Sequence, residues 1–463
     1  MVLLKKSIKL PYTLLNRSQY LNKNFARFQS SLGNGSQNAS TGSNEPFLST
    51  IIKKRSIQIG LGLIGLSSFY YILAKRSSEP ASKTEAKGVE DERFPKRSNI
   101  KDLKLISLKE VETLLTQNEE KVKVADNLTA YVNNVASNNP IEDAHFLHFD
   151  KTNQLVVFGI IDGHAGFKCS RYLKEQMPSW LMDKVVSKMI TWNKNDNYVN
   201  RVSEGITNTL LQLDHYFVNQ RIYTQTGDLN LENVDAAYNG AVAIVGILDL
   251  KNKDLFVANV GDCRGVLGRL KKSNNWETVE LSEDHTFLNL KELARVIKEH
   301  PLEGATIGWR DRYMATLQPT RAFGDAWLKW PRDFQTSLLD TMPPKFKLRN
   351  VPDYHTPPYP TALAEVTHTK LTKEDKFIVF GCDGLFDSLE SKEVVHLVGG
   401  SLLNDAIQHK DYRIFKDSNL ATHLIRNSFR GWNDQYIQAL LSLTYPQSRR
   451  HRDDVSVMVL VLE

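Results

Sequence analysis

Cysteine is scarce in this chain: Cys169, Cys263 and Cys382 are the only three in 463 residues. An odd number at wide spacing excludes a disulfide framework and the paired spacings of a zinc site. A reducing compartment, or one that does not require disulfides, fits. Acidic residues are missing from the start, since residues 1–44 contain no Asp or Glu. Also lacking there is the apolar core of roughly 7–15 residues that a secretory signal needs. The Asn127-Leu128-Thr129 triplet is therefore expected to stay unglycosylated. No internal repeat is visible. A basic excess on the globular part is missing too. The formal charge is +6, but residues 1–76 hold eleven Lys/Arg against Glu45 alone, a net of +10 that leaves −4 on the remainder. A nucleic-acid binder would carry its basic excess on folded sequence, so no nucleic-acid partner is expected.

What the leader does contain is Lys5, Lys6, Lys9, Arg17, Lys23 and Arg27 among many Ser and Asn. Residues 1–44 thus have the composition of a mitochondrial transit peptide, with cleavage expected near residues 27–31. Residues 56–74 carry no charge and lie between Lys53-Lys54-Arg55 and Lys75-Arg76. Roughly 20 apolar residues cross a bilayer core. Residues 45–76 are therefore read as a transmembrane segment with basic flanks, anchoring the protein in the mitochondrial inner membrane. A buried helix is the alternative, and the charge clusters at both ends argue against it. Three basic residues on one side and two on the other leave open whether the sequence after the span faces the matrix or the intermembrane space. Gly60-Leu61-Gly62-Leu63-Ile64-Gly65 fits a dinucleotide loop by letter, but no strand precedes it. Residues 77–104, rich in Ser, Glu, Lys and Pro, read as a disordered linker.

Folded sequence is expected over residues 105–463. Apolar runs predict strands at 155–161, 242–248, 254–260, 376–380 and 455–462. In the last, Val455, Val457, Val459 and Val461 alternate with Met458, Leu460 and Leu462, so both faces should be buried. Helical spacing joins Ile206, Leu210, Leu213 and Phe217, and again Leu290, Leu293 and Ile297. Further helices are expected at 167–177 and 419–430. The fold class is α/β: a central β-sandwich of two mainly antiparallel sheets flanked by helices, with a metal site at one end.

The site is suggested by acidic residues beside these runs. Asp162-Gly163-His164 ends the first. Glu142-Asp143, Gly261-Asp262, Cys382-Asp383-Gly384 and Asp453-Asp454 adjoin others. Magnesium and manganese prefer oxygen ligands of this kind. An EF-hand keeps its ligands within a 12-residue loop, whereas these span positions 142 to 453. Only a fold that gathers strand ends could unite them. Two cations sharing a carboxylate could then hold a water and clamp an in-line displacement. Lowering water's pKa from about 15.7 to about 7 is worth roughly 12 kcal/mol, help on the scale that phosphate-monoester hydrolysis requires. A serine alkoxide leaves poorly, so a general acid is needed, and His164 is the candidate. Gly163 is read as letting its carbonyl approach a metal.

Asp162-Gly163-His164-Ala165-Gly166, Val260-Gly261-Asp262-Cys263-Arg264, Asp383-Gly384-Leu385-Phe386-Asp387 and Arg452-Asp453-Asp454 occur in that order. The ordered set resembles the magnesium/manganese-dependent serine/threonine protein phosphatases of the 2C type. Asn138-Asn139-Pro140-Ile141-Glu142-Asp143, Leu281-Ser282-Glu283-Asp284-His285, Arg321-Ala322-Phe323-Gly324-Asp325, His355-Thr356-Pro357-Pro358-Tyr359 and Ala421-Thr422-His423-Leu424-Ile425-Arg426 are similar to the pyruvate dehydrogenase phosphatase branch.

The resemblance implies that Asp162 bridges two Mg or Mn ions and that Asp383 and Asp453 complete the first. Glu142 and the Gly163 carbonyl would serve the second, with Asp143 ordering its waters. Asp262, with Asp383, could hold a weaker third ion. His164 would be the acid, and Asp325 and Asp387 are candidates for contact with metal-bound water. Most of the family carries a phosphate-gripping arginine where this chain has Asn138, a departure shared with the pyruvate dehydrogenase branch. Cys263 and Cys382 read as small buried fillers. The implied activity is hydrolysis of phosphoserine or phosphothreonine on a protein, with the pyruvate dehydrogenase alpha subunit as favoured substrate. A non-catalytic phosphoprotein-binding scaffold, a phosphatase of other mitochondrial phosphoproteins and a small-molecule phosphohydrolase are the alternatives.

Overall fold

Runs that are apolar on both faces become central strands, because each face meets a different layer. The computed structural model describes residues 103–192, 197–272, 275–304, 306–339, 354–403 and 417–463. One sheet has the order β1 (Glu120–Ala125), β2 (Leu128–Val135), β12 (Val455–Leu462), β11 (Asp375–Gly381), β7 (Arg264–Leu270) and β8 (Trp276–Glu280). The other runs β10 (Glu365–Lys370), β6 (Asp254–Val260), β5 (Gly240–Asp249), β4 (Leu155–His164) and β3 (Ala144–Asp150), with the short β9 (Phe323–Gly324) paired to β5. Neighbouring strands pair antiparallel throughout both sheets.

The two sheets pack face to face. Val156, Phe158 and Ile160 of β4 meet Ile378 and Phe380 of β11 and Met458 and Leu460 of β12. Phe158 and Phe380 stack with ring centroids 4.8 Å apart. Burying a side chain of that size stabilises by roughly 1.5–3 kcal/mol. The alternate residues Val157 and Ile161 turn outward onto α2 (Lys168–Leu181) and α3 (Tyr198–His215), through Leu173, Met177, Ile206 and Leu210. On the far side Val455, Val457 and Val459 pack under α7 (Ser391–Leu403) and α8 (Leu420–Ser428). Further helices include α1 (Leu108–Thr116), α4 (Leu231–Tyr238) and α5 (Leu290–Glu299). A single turn, α6 (Asp383–Phe386), follows β11. The fold is the expected α/β sandwich.

Some expectations need adjusting. Leu290, assigned to the buried face of α5, is 51% exposed, while Leu293, Val296 and Ile297 carry that face. The two-residue β9 was not foreseen, nor were β1, β2, β3, β7, β8 and β10. Of these, β1, β8 and β10 are edge strands with polar or charged residues, as in Glu120–Ala125 (EKVKVA). The transit peptide, the span at 56–74 and the linker up to residue 102 lie outside the described residues. Among the described residues no helix is long and apolar enough to cross a membrane.

The topology gathers one set of strand ends. β4 ends at His164 opposite Gly240, where β5 begins. Val260 at the end of β6 pairs with Ala243 near that same start. Gly381 at the end of β11 pairs with Val457 and with Arg264, and Val135 at the end of β2 pairs with Val455. Antiparallel pairing therefore brings the 138–143 loop, Asp162, Asp262, Asp383 and Asp453 to one end of the sandwich.

Candidate active site

Each acidic side chain is delivered by a strand end or the turn beside it. Asp162 lies on β4, two residues before its end at His164. Asp262 follows Gly261, whose φ of 109° is a left-handed conformation that favours glycine. Asp383 opens α6 directly after β11. Asp453 stands two residues before β12. Ligand atoms of Asp162, Asp383 and Cys382 all lie within 4.8 Å of one another.

The electrostatics show how closely the wider group converges. Burial raises the pKa of Asp162 well above the usual carboxylate range, and Asp143, Asp383, Asp453 and Asp262 raise it further. Asp143 and Asp262 are pushed well up for the same reasons, burial first and neighbouring carboxylates next. Asp383 rises to about 7, through burial and then through Asp453 and Asp387. Asp453 is also raised, mainly by burial, although Arg449 pulls the other way and donates to its Oδ2 at 2.5 Å. Glu142 is raised by burial and by Asp454.

These groups are not satisfied by the protein. Both oxygens of Asp143 and Oδ1 of Asp383 are buried without a hydrogen-bond partner. Buried polar atoms in native proteins nearly always have one. The donor set is oxygen-rich and acidic, and it fits hard divalent cations such as Mg or Mn. Cys382 sits among these oxygens, but burial first and then the carboxylates push its thiol well up, so it stays protonated. Cys263 is held neutral in the same way. Both are fully buried, as fillers would be.

His164 lies beside this group. Its Nε2 is 2.8 Å from Asp325 Oδ2, and Trp327 Nε1 donates to Asp325 Oδ1 at 3.1 Å. Burial lowers the imidazole pKa, but the Asp325 carboxylate outweighs it and the net shift is upward. Asp325 is thus engaged by His164 and the indole rather than placed within the carboxylate group. Asp387 follows α6, and its amide donates to the Asp383 carbonyl at 2.7 Å.

Asn138 is committed to the loop. Its Nδ2 donates to Asp454 Oδ2 at 3.0 Å and to Glu142 Oε2 at 3.3 Å. Asp454 also accepts from the amides of Ser137 (2.5 Å), Asn138 (2.8 Å) and Glu142 (2.8 Å). It fixes the loop that presents Glu142 and Asp143. The structure adds a second reason for Gly163. A Cβ there would collide with the Glu142 carbonyl oxygen and lie 2.9 Å from Ser170 Oγ. The missing side chain lets the Glu142 loop close on β4.

Asp454 and Gly240 were missed as site residues. Asp454 was visible in the Arg452-Asp453-Asp454 motif, but nothing distinguished its role from that of Asp453. A Cβ on Gly240 would occupy the space of the His164–Asp325 pair. No local signal marks that glycine, because the crowding comes from elsewhere in the chain.

A family model described as protein phosphatase 2C matches residues 132–429. A protein phosphatase 2C homolog of Schizosaccharomyces pombe is 33% identical over 388 residues, covering 77% of this chain and 84% of that protein. The mitochondrial pyruvate dehydrogenase (acetyl-transferring) phosphatase 1 of Saccharomyces cerevisiae is 30% identical over 437 residues, covering 81% and 76%. The rat protein of the same name is 28% identical over 445 residues, covering 76% and 82%. Among solved structures, a serine-threonine phosphatase 2C from Toxoplasma gondii has a TM-score of 0.50 at 14% identity, covering 74% of this chain and 99% of that one, a likeness of fold.

Proposed function

This chain belongs to the protein phosphatase 2C family of metal-dependent serine/threonine phosphatases, and from that premise we propose that it dephosphorylates a mitochondrial phosphoprotein, with the pyruvate dehydrogenase alpha subunit as the favoured substrate. The observation that carries the chemistry is the crowd of mutually repelling carboxylates, in which both oxygens of Asp143 and Oδ1 of Asp383 are buried without a hydrogen-bond partner. The names of the yeast and mammalian relatives support the compartment and the substrate.

Asp162 would be shared by two divalent cations, with Asp383 and Asp453 holding the first and Glu142 and the Gly163 carbonyl the second. Asp143 would order water there, and Asp262 with Asp383 would offer a third, weaker position. Cations held by these residues would supply, when bound, an activated water and charge for the phosphoryl oxygens. The protein's own work is proton transfer and alignment. The Asp325 carboxylate strengthens the hold of His164 on its proton and fixes the ring through Nε2. The other ring nitrogen, Nδ1, is left to donate to the departing serine oxygen. Asp454 and Asn138 hold the Glu142 loop in register.

Residues 105–463 are proposed as the catalytic domain, behind a transit peptide (1–44), an inner-membrane span (56–74) and a linker (77–104). Protease protection in mitoplasts decides the side: a shielded domain faces the matrix, where this substrate resides. The chemistry is tested by hydrolysis of a phosphoserine peptide with manganese or magnesium. Turnover should require the metal and drop by about 10³-fold in Asp162→Asn. Metal-independent turnover, or full activity in that variant, refutes the assignment.

A further inference from the structure

One cluster has no part in this scheme. A cavity of about 290 Å³ adjoins Asp453 and is lined by Arg430, Arg449, Arg450, His451 and Arg452. Its lining carboxylates are Asp387 and Asp453, so four guanidinium groups face two acids. One of those acids, Asp453, is already bonded by Arg449. Arg430, Arg449 and Arg450 are exposed and within reach of a partner. Arg452 lies deeper. It donates through Nη1 to the Ala136 carbonyl at 2.5 Å, while its Nε is buried without a hydrogen-bond partner. A guanidinium fork matches the paired oxygens of a carboxylate or a phosphoryl group. The cavity shares Asp453 with the acidic group, so whatever fills it sits next to the reacting phosphate. In the 138–142 loop, the Asn138 amide is spent on Asp454 and Glu142 and offers no cation.

We propose that this arginine-lined cavity receives a second anionic group of the substrate protein, an acidic side chain or a further phosphoryl group a few residues from the phosphoserine being hydrolysed. The assignment rests on the phosphatase reading above and narrows its substrate class. Arg430 and Arg450 become specificity-determining residues that select anionic flanks.

The test uses the full chain with manganese and phosphoserine peptides of equal length. Their flanks are neutral, carry aspartates, or carry a second phosphoserine, on either side. The wild type should favour the anionic flanks by about tenfold in kcat/KM, equivalent to about 1.4 kcal/mol. That ratio should fall below about twofold in Arg430→Glu/Arg450→Glu, and part of the way in Arg430→Gln/Arg450→Gln. Thermal melting checks that both variants fold. The ranking of aspartate against phosphoserine identifies the natural anion. A wild type without preference overturns the proposal, as does a preference unchanged in both variants. An equal loss on all peptides would put the scissile phosphate itself in the cavity and also overturn it. If no peptide is hydrolysed, the phosphatase reading fails. Fluorescence anisotropy of the labelled peptides then still decides the cavity: tighter binding of the anionic ones, lost in the charge-reversed variant, supports it, and equal binding overturns it.

Discussion

Asp143 and Glu292 are both carboxylates almost withdrawn from water, at 8% and 3% exposure, and their surroundings are opposite. Glu292, on α5, accepts from Arg321 Nη2 at 2.6 Å, Arg295 Nη2 at 2.7 Å and Thr320 Oγ1 at 2.6 Å. Burial opposes its charge, but the two arginines win and hold its pKa well below the usual range. Asp143 has no hydrogen bond of ordinary geometry at either oxygen, and its neighbours are the Ser456 hydroxyl and other acids. The Glu292 network is complete within the chain and stabilises the fold. The group around Asp143 is incomplete and awaits a charge from outside. Burial alone does not mark a functional acid; what marks it is burial without a partner.

That contrast can be broken in either region. The largest effect belongs to the incomplete one. His164→Ala should lower phosphopeptide turnover by about 10²–10⁴-fold and leave the melting temperature within a few degrees. An aryl phosphate, whose leaving group needs no proton, should lose much less, and equal losses on both substrates would remove His164 from the acid role. In the complete region the order reverses. Arg321→Ala leaves the buried Glu292 with one of its two guanidinium partners and should cost about 1.5–3 kcal/mol in chemical denaturation, with turnover per folded molecule falling less than tenfold. A smaller, graded effect follows from pH. The folded pKa of Glu292 is depressed from 4.5, so its contribution is fully present above about 4.5 and fades as pH falls below that. The stability gap between wild type and Glu292→Gln should therefore shrink between pH 5 and pH 3. A gap that widens on acidification would contradict the depressed value.

The sequence was legible where a pattern is local. β4, β5, β6, β11 and β12 could be read because both faces of each are buried and the runs are uninterrupted. β10 (EVTHTK) could not, since an edge strand tolerates polar residues and carries little periodicity. The carboxylates of the site were legible through the ordered motifs beside those runs. The His164–Asp325 contact joins residues 161 positions apart, and the space for it is made by Gly240 on a third segment. Such a contact exists only once the strands have paired. The clasp of Asp454 on the 137–142 loop is of the same kind, formed between chain segments more than 300 residues apart.

β12 lies between β2 and β11 inside its sheet, and Asp453 and Asp454 stand at its entrance. This strand is thus a keystone for both the architecture and the chemistry. A chain in which β12 has not yet docked lacks a central strand and two of the acids together. Phosphatase activity would then arise in one step when β12 pairs with its neighbours, and a partly folded enzyme would have nothing with which to act on bystanders.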